Sequence, residues 1–449
     1  MFNHFFNKLS LTLILVFFTF QSQSQNQNKA WTLEDCIKYA FENNIDIKKH
    51  QIIIQQNELI LRQHKLNRLP TIEATINNDL GWEKDYDKDE NVYSPLISST
   101  SSSYGINSSI SLFNGFRVNN QVSQANLDMQ VGNIHLESIK ESLEITIIKA
   151  YLDILYAQEE VNNIEKQIET SKQELQFAEE RMNLGYISKS DYLQIKSALA
   201  SEKLSLANAM SELELGKLSL MQLMDLPASP DFTIVSPDIS QLINTARDLN
   251  PDSVYNTALK TKPQIKEASL IVKRNLYEEK IARADLLPSI NLSAGISTEW
   301  NSNNTFFNYR SQLNNEFSPY VGLSLSIPIY QKSQVITNIR IARLLVEDAK
   351  IDEVNAKNIL RKETELAIAD FSSAIIRYEA SIEQYNAVIE SYNVASEKFR
   401  LGILNSIDFL IVKDDLIRAE SALLNTKFNL AFSNKILDYY LGIPLVLSE

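Results

Sequence analysis

The sequence predicts a mainly α-helical protein with a smaller β part, built as a tandem internal repeat. Three observations support this fold class. The two halves of the chain align with one another. Each half contains two runs of alternating apolar and polar residues after a proline, and each contains a stretch of about 65 residues without proline. Only 10 Gly and 11 Pro among 449 residues also favour helix.

The repeat is domain-sized. Residues 181–227 align with residues 398–444 at an offset of 217, without a gap, and earlier parts of the two halves align at an offset of 218. Solenoid periods are far shorter, so each half is predicted to be one structural half of a single object. The predicted divisions are a signal peptide at 1–25, a first repeat at 26–227, a linker at 228–250 and a second repeat at 251–449.

The N-terminus has the features of an export signal. Lys8 precedes an apolar run from Leu9 to Phe20, which is too short to span a bilayer comfortably. Beyond Phe20 no run of about 18 apolar residues occurs, so the mature chain is expected to be soluble or to cross a membrane as a β-barrel. The net charge of −13 is spread along the chain, which argues against a nucleic-acid partner.

A helix opens each repeat. Thr32 is a candidate N-cap, and the first helix is predicted to run to about Arg68, since Pro70 cannot continue it. The second helix is predicted to run from about Pro251 to Pro288. Cys36, the single cysteine, lies in the first helix, where we interpret it as a small buried residue that cannot form an intrachain disulfide.

A β-hairpin follows each proline, at 71–113 and 289–330. Alternating residues predict strands of about ten residues with one apolar and one polar face, the length of a tilted transmembrane strand. Polar loops are predicted at about 83–103 and 301–318. Aromatic residues at both strand ends are typical of the two membrane interfaces: Trp82 and Trp300 beside the loops, Phe113 and Tyr330 at the far ends.

The strand number bears on assembly. Four strands cannot close a barrel, because eight is the smallest number in common use, so a membrane-spanning sheet would require an oligomer. The alternative is two ordinary hairpins on a soluble sheet. No other part of the chain is predicted to supply strands that would cover a second face of that sheet.

Long helices follow the hairpins. The stretches from about Asn119 to Leu184 and from Gln334 to Leu401 each predict a helix of ~65 residues and ~100 Å. Helices of that length belong to coiled coils or bundles rather than to globular cores. Gly185 and Gly402 are predicted to end them in the left-handed conformation, and a return helix of about forty residues follows each glycine.

Four short motifs carry a family resemblance. They are Trp-Thr-Leu-Glu-Asp-Cys-Ile at 31–37, Leu-Pro-Thr-Ile and Leu-Pro-Ser-Ile before the strands, Ile-Ser-Leu-Phe-Asn-Gly at 110–115, and a doubled Leu-Gly-x5-Asp-x-Leu at the helical turns. In their order and doubling the chain resembles the TolC-like outer-membrane efflux protein family, the outer membrane factors. The resemblance covers nearly the whole mature chain.

The resemblance implies a homotrimer in which four strands per protomer form a twelve-stranded outer-membrane β-barrel, continued into the periplasm by a long α-helical coiled-coil tunnel. It implies a passive exit duct of a tripartite efflux or type I secretion system, for small molecules or polypeptides. The implied partners are outer-membrane lipid, a periplasmic adaptor (membrane fusion) protein and an inner-membrane RND or ABC transporter. Polar strand positions would keep the channel wet: Glu73, Asn77, Asn107 and Asn291.

The resemblance also implies site residues at the helical turns. Asp191 and Asp408 correspond in the two repeats and are predicted, with Ser190 and Phe399, to form a periplasmic pore constriction. The alternative for both acids is stabilisation by the helix dipole and by capping from Ser190 or Ser406. The family's second acid and its basic residue are replaced here by Ile411 and Leu404, which leaves the gating details open.

The turn tips are predicted to contact the adaptor protein, although plain turn chemistry is an equal alternative for the two glycines. The predicted contact residues are Arg181, Leu184, Gly185, Ser188, Arg400, Leu401, Gly402 and Ser406.

Three other classes of function are alternatives to a channel. A coiled-coil spacer or adhesin without a lumen is the main alternative, whereas an adaptor subunit would need a lipoyl-like β domain between its helices. No nucleophile–base pairing or phosphate-binding loop stands out, so neither an enzyme nor a cofactor is predicted. No metal site is predicted either, because His50, His64 and His135 lack ligand spacing.

Overall fold

The protein is described from a computed structural model, which covers residues 30–84, 86–88, 91–237, 243 and 250–445. The predicted signal peptide at 1–25 and part of the predicted linker lie outside these residues. The chain divides into two compact units. The helical unit falls within Met1–Lys48, Ile139–Thr261 and Leu360–Glu449, and the sheet unit comprises Lys49–Ser138 and Lys262–Ile359.

The two halves of the chain have matching orders of long elements. The first half contains α1 (Leu33–Asn43), α2 (Ile45–Leu66), β1 (Thr71–Glu83), β2 (Tyr86–Asp87), β3 (Val92–Tyr93), β4 (Ile97–Asn114), α3 (Arg117–Asn183) and α4 (Lys189–Leu223). The second half contains α5 (Pro251–Thr261), α6 (Pro263–Ala284), β5 (Ser289–Asn301), α7 (Tyr309–Asn315), β6 (Ser318–Ser326), α8 (Gln334–Arg400) and α9 (Ser406–Leu441).

The first helix of each half is broken, whereas the sequence predicted one continuous helix. Thr32 accepts a hydrogen bond from the backbone N–H of Asp35, as expected of an N-cap, but α1 ends at Asn43, with Asn44 as its C-cap. Asn44 then caps α2, because its Oδ1 accepts from the N–H groups of Asp46 and Ile47. The corresponding break, at Lys262, follows from Pro263, which has no N–H to donate to the preceding turn.

Three of the four long strands are longer than the predicted length of about ten residues, and both loops are shorter than predicted. β4 begins at Ile97 rather than near residue 104, because the serine-rich run pairs with β1 as far as Glu83. The second loop contains a helix, α7, that the sequence did not indicate. β6 ends at Ser326, short of residue 330, since Pro328 cannot donate to the strand ladder.

The four long strands form one antiparallel sheet in the order β1-β4-β5-β6. The two hairpins therefore join through β4 and β5, with Ile106 opposite Ile296. Within the described residues, β1 and β6 each pair with one neighbour and leave their other edges open. The sheet thus joins the two repeats and ends in two unpaired edges.

A hydrophobic core fixes α1 against α3, α4 and α9 within the helical unit. Cys36, Ile147, Met224 and Ala431 are fully buried in it. Burial, with smaller effects from Asp35 and Glu34, raises the pKa of the Cys36 thiol to about 12. The thiol is therefore neutral and acts as a small apolar side chain, as the sequence indicated.

A short extended segment closes this core. Ile234 forms a parallel bridge with Trp31, within the part of the linker that the structure describes. The buried Tyr151 hydroxyl donates to the carbonyl of Val235 at 2.6 Å, which anchors the segment to α3.

Candidate functional site: a two-faced sheet and the helical hairpin tips

The sheet has one apolar face and one polar face. Residues paired across antiparallel strands share a face, so the register assigns every position. Ile76, Tyr104 and Thr298 form one row of the apolar face. The other residues of that face include Ile72, Leu80, Trp82, Ile106, Leu292, Ile296, Trp300, Val321, Leu323 and Leu325.

The opposite face is mainly polar. Glu73, Asn107 and Gly295 form one of its rows, and Asn77 and Asn291 lie on the same face. Tyr320 spans this face by donating to Asn107 Oδ1 at 3.1 Å. The four polar positions expected to face water therefore share one side of the sheet.

A bulge decides the face of one aromatic residue. The pairing of β4 with β5 shifts by one residue between Ser111 and Phe113, so Phe113 lies opposite Ile290. In a regular strand without the bulge, Phe113 would lie two residues after Ser111 and therefore on the polar face. The bulge thus adds Phe113 to the apolar face, at the end away from Trp82.

The two hairpin tips have the same backbone structure. We call residues 181–191 tip 1 and residues 398–408 tip 2. Gly185 has φ +82° and Gly402 has φ +79°. In both tips the residue after the glycine donates to a carbonyl five residues earlier, and the glycine donates to one three residues earlier, which is a Schellman motif. Only glycine adopts this left-handed conformation without steric strain.

The N-caps of the two return helices are not the residues that the sequence predicted. Ser188, rather than Ser190, caps α4, and its hydroxyl and backbone N–H both hydrogen-bond to Asp191 in a capping box. Asn405, rather than Ser406, caps α9 and donates to Asp408 Oδ2 at 2.9 Å. Both acids are thus held at helix N-termini, where the helix dipole favours negative charge.

The tips are tied to each other across the repeats. Ser406 is buried, and its hydroxyl lies 2.5 Å from Asp191 Oδ1. Hydrogen bonds from Ser188 and Ser406 lower the pKa of Asp191. Arg181 crosses in the other direction, donating to the carbonyls of Phe399 at 2.8 Å and Arg400 at 3.2 Å. Both carbonyls lie in the last turn of α8, where helical donors run out, and that of Phe399 also accepts from the N–H of Gly402.

An aromatic cluster lies directly behind the tips. Phe399 stacks on Phe409 with ring centroids 4.6 Å apart, and both side chains are buried. Ala178, Ile195 and Ala395 complete the cluster. The cluster therefore contains residues of all four helices that meet at the tips, α3, α4, α8 and α9.

A buried ion cluster lies further along the same helices. Lys413 of α9 is 2.7 Å from Glu174 Oε2 of α3 and 3.0 Å from Glu202 Oε1 of α4, with all three side chains at most 13% exposed. Tyr392 of α8 donates to Glu174 Oε1 at 2.8 Å. Burial, with the nearby Glu174, raises the pKa of Tyr392 far above its ordinary value, so the phenol remains a donor.

Two sequence comparisons match these features. The family model for outer membrane efflux proteins matches residues 37–225 and 254–442, once in each repeat. The chain belongs to the outer membrane efflux protein family. The outer membrane efflux protein BepC of Brucella suis is 21% identical over 344 residues, which cover 75% of this chain and 71% of that protein.

Solved structures of outer-membrane channels share the fold. Against CusC the TM-score is 0.80 at 18% identity, covering 94% of this chain and 96% of that one. Against the outer membrane channel CmeC of Campylobacter jejuni it is 0.76 at 17% identity, covering 91% and 85%.

Membership confirms the predicted class of function and the tandem repeat. The protein is an outer membrane efflux protein, located in the outer membrane. The coiled-coil spacer and the adaptor subunit are therefore set aside.

Two of the predicted site residues lie in other surroundings than expected. Phe399 was assigned to the pore constriction, but it is 3% exposed and stacks inside its own protomer, so it offers no surface to a pore. Ser406 was assigned to adaptor contact, but it is 1% exposed and ties tip 2 to tip 1. Both side chains act in packing between the repeats.

The other tip residues remain accessible. Leu184 and Leu401 are about 70% exposed, and Tyr186 and Ile403, which the sequence analysis did not name, are equally exposed. Gly185, Ser188, Ser190, Arg400, Gly402 and Asp408 are also exposed, while Arg181 and Asp191 are half-buried.

The four predicted interface aromatics occupy the ends of the sheet. Trp82 and Trp300 lie at one end of the apolar face, and Phe113 lies near the other. Tyr330 is 81% exposed but lies beyond the end of β6.

No helix among the described residues is both long enough and apolar enough to cross a lipid bilayer.

The structure brings together two histidines that the sequence treated as scattered. The rings of His50 and His135 lie 4.9 Å apart, and His135 Nδ1 is 3.0 Å from Glu267 Oε1. In the described part of the chain no group of three or more potential ligands is arranged to hold a metal ion.

Proposed function

We propose that three copies of this chain assemble into one channel whose twelve strands close a barrel in the outer membrane. The channel is a passive conduit for small molecules or polypeptides. An inner-membrane RND or ABC transporter supplies the energy, and a periplasmic adaptor protein connects it to the hairpin tips. The observation that carries the proposal is a four-stranded sheet with one apolar face, one polar face and two open edges.

The open edges call for further strands. In lipid every backbone N–H and C=O must be paired inside the protein, and an edge strand leaves a row of them unpaired. If β6 of one copy pairs with β1 of the next, the unpaired N–H and C=O groups of both edge strands become hydrogen-bonded. A closed ring of three such contacts contains twelve strands, within the range of outer-membrane barrels.

The helices support the same assembly. Large apolar side chains on α2 and α8 are more than half exposed within one chain: Ile52, Leu59, Leu344, Ile351 and Ile376. Isolated exposed apolar residues are common, but rows of them along helices are typical of surfaces that pack against other helices. Helices of neighbouring subunits around a tunnel would cover these side chains.

We propose different roles for Asp408 and Asp191. Asp408 is exposed and contacts its own cap, so three copies around the axis would form a ring of negative charge that prefers cations and repels itself. Asp191 is half-buried and accepts hydrogen bonds from Ser188 and Ser406. We assign Asp408 to the constriction and Asp191 to holding the two tips together.

The exposed apolar tip residues are the proposed contact with the adaptor. Leu184, Tyr186, Leu401 and Ile403 project from two rigid turns of the same backbone structure. A partner that recognises one turn could recognise both. Rigid apolar anchors suit such an interface because they lose little conformational entropy on binding.

Planar bilayer recordings test the proposal. The purified full-length protein should migrate as a trimer in mild detergent and give discrete, cation-preferring conductance. Asp408→Ala should raise the conductance and lower the cation preference, whereas Asp191→Ala, the same change in the other repeat, should act mainly on stability. A protein that stays monomeric, or that never conducts, would refute the channel assembly. Equal effects of the two substitutions on ion preference would refute the assignment of Asp408.

A further inference from the structure

The hairpin between β5 and β6 contains a helix that lies on the apolar face of the sheet. Tyr309 of α7 contacts Tyr104, with hydroxyl oxygens 2.8 Å apart, and its ring lies 5.6 Å from that of Trp300. Thr298 Oγ1 donates to the carbonyl of Leu313 at 2.6 Å. Tyr104, Thr298 and Trp300 all belong to the apolar face. The helix therefore lies over this face and not over the polar one.

The position of α7 is fixed by one buried amide. Gln312 is 3% exposed. Its Oε1 accepts from the backbone N–H of Asn301, and its Nε2 donates to the carbonyls of Asn304 and Phe307. Asn308 caps the helix by accepting from the N–H of Ser311. Because these polar groups are paired internally, the loop can enter a layer poorer in water than bulk solution.

The same loop exposes a group of aromatic side chains. Phe306 is 91% exposed, and Phe307, Tyr309 and Phe317 are about half exposed. Arg310 is exposed among them. Aromatic side chains and cations next to an apolar surface are typical of groups that lie at the level of lipid headgroups.

We propose that residues 302–317 form a membrane anchor that lies in the headgroup layer of the outer leaflet, with the aromatic residues in lipid and Arg310 on lipid phosphate. This proposal rests on the proposed function, because it takes the apolar face as the face towards lipid. We assign lipid as the partner of this loop, because its aromatic side chains extend the apolar face of the sheet beyond Trp300. A neighbouring copy is a poorer candidate, because the hydrogen bonds of α7 reach the two central strands, β4 and β5, which already have a partner strand on each side.

The anchor has a consequence for the channel mouth. A loop that turns outward over the apolar face does not lie across the polar face. Substitutions in residues 302–317 should therefore change the contact of the loop with the membrane without changing the conductance of the channel.

The test uses single cysteines labelled with an environment-sensitive dye in the full-length protein, reconstituted in vesicles of phosphatidylcholine and phosphatidylglycerol. Cys36 is fully buried and should not compete for label. The labelled variants are Phe306→Cys for the anchor, Val321→Cys for the apolar face and Glu299→Cys for the polar face. Glu299 is the matched control, since it lies between Thr298 and Trp300 on the same strand but on the other face.

The three labels separate the possible outcomes. The dye at position 306 should be blue-shifted and lose most of its emission to lipid brominated near the headgroup, and less to lipid brominated near the chain end. The dye at 299 should respond only to aqueous iodide. A dye at 306 that behaves like the one at 299, while the dye at 321 is quenched by lipid, would overturn the anchor alone. Absence of lipid quenching at 321 would instead overturn the proposed orientation of the sheet.

A second variant tests what positions the loop. Gln312→Ala should lower the lipid quenching at 306 towards the value at 299, with conductance unchanged. Unchanged quenching would refute the role of Gln312, and altered conductance would show that the loop also acts on the pore mouth, contrary to the proposal.

Discussion

Replacing Lys413 by methionine should destabilise the helical unit, because it removes the cation of the buried ion cluster. Methionine retains most of the volume but not the charge. Glu174 and Glu202 would then remain buried within reach of each other without a cation. The Tyr392 hydroxyl and Ser171 would be left as the neutral donors to them.

The expected loss follows from the burial of the cluster. The three charged side chains are between 7% and 13% exposed, so solvent screens them little. Removing one partner of a buried ion pair costs about 3–5 kcal/mol, because the other charge stays buried and uncompensated. At about 2–4 °C per kcal/mol for a unit of this size, the midpoint of thermal unfolding should fall by roughly 6–20 °C.

The repeat supplies a matched control. Lys196 of α4 aligns with Lys413 at the offset of 217, but it is exposed and lies over the ring of Tyr192. Lys196→Met should change the free energy of unfolding by no more than about 0.5 kcal/mol. The assay is circular dichroism of the helical signal during thermal unfolding in detergent.

A rescue variant checks the physical cause. Adding Glu174→Gln and Glu202→Gln to Lys413→Met removes the uncompensated charges and should recover most of the loss, because a buried ion cluster contributes little over a neutral replacement. If Lys413→Met and Lys196→Met lower the midpoint equally, or if the glutamines recover nothing, the reasoning from buried charge is wrong.

Three further outcomes are expected at the tips. Gly185→Ala and Gly402→Ala should each cost about 1–2 kcal/mol, because alanine is strained in the left-handed backbone conformation of both positions. Gly402→Ala should destabilise more, because its Cβ would also contact the Arg181 side chain. Equal midpoints of thermal unfolding for the two variants would contradict this. Ser188→Ala should cost about 1 kcal/mol as a lost N-cap, measured by the same midpoint, and no change would contradict the capping box. The lowered pKa of Asp191 adds stability above the ordinary carboxyl pKa of about 3.9, and this stability is lost as the pH falls through the lower, folded-state pKa. Asp191→Asn should therefore flatten the dependence of the midpoint on pH between about 5 and 2, and an unchanged profile would assign the acid sensitivity to other groups.

Local pattern was sufficient to predict much of the fold. Alternation of residues predicted both hairpins and the side of the sheet on which Glu73, Asn77, Asn107 and Asn291 lie, because the period of a strand is two whatever it packs against. Glycine at the helix ends predicted both Schellman turns for a similar reason. The turn requires a left-handed residue, which favours glycine, and its hydrogen bonds join residues no more than five apart.

Breaks and bulges were harder to predict, since each depends on a distant partner as well as on local sequence. Asn44 ends α1 while it donates to the carbonyl of Leu223, and Asp225 accepts from the N–H of Ile45. The bulge at Leu112 exists in the pairing of β4 with β5, strands nearly two hundred residues apart in the chain. The residues around the break and around the bulge do not indicate these distant partners.

Burial separated residues that the sequence treated as equivalent. Lys196 and Lys413 occupy equivalent positions in the aligned repeats. Lys196 is nevertheless exposed, whereas Lys413 is buried between two carboxylates. In the same way, the family resemblance placed Phe399 at the pore constriction, whereas packing against Phe409 buries its side chain. The sequence by itself determined the repeat, the types of the long elements and the strand faces outside the bulge, because these depend on neighbours in the chain. The tertiary structure alone decided which charges are buried, which tip residues remain accessible and where α7 lies, because those properties depend on contacts between residues far apart in sequence.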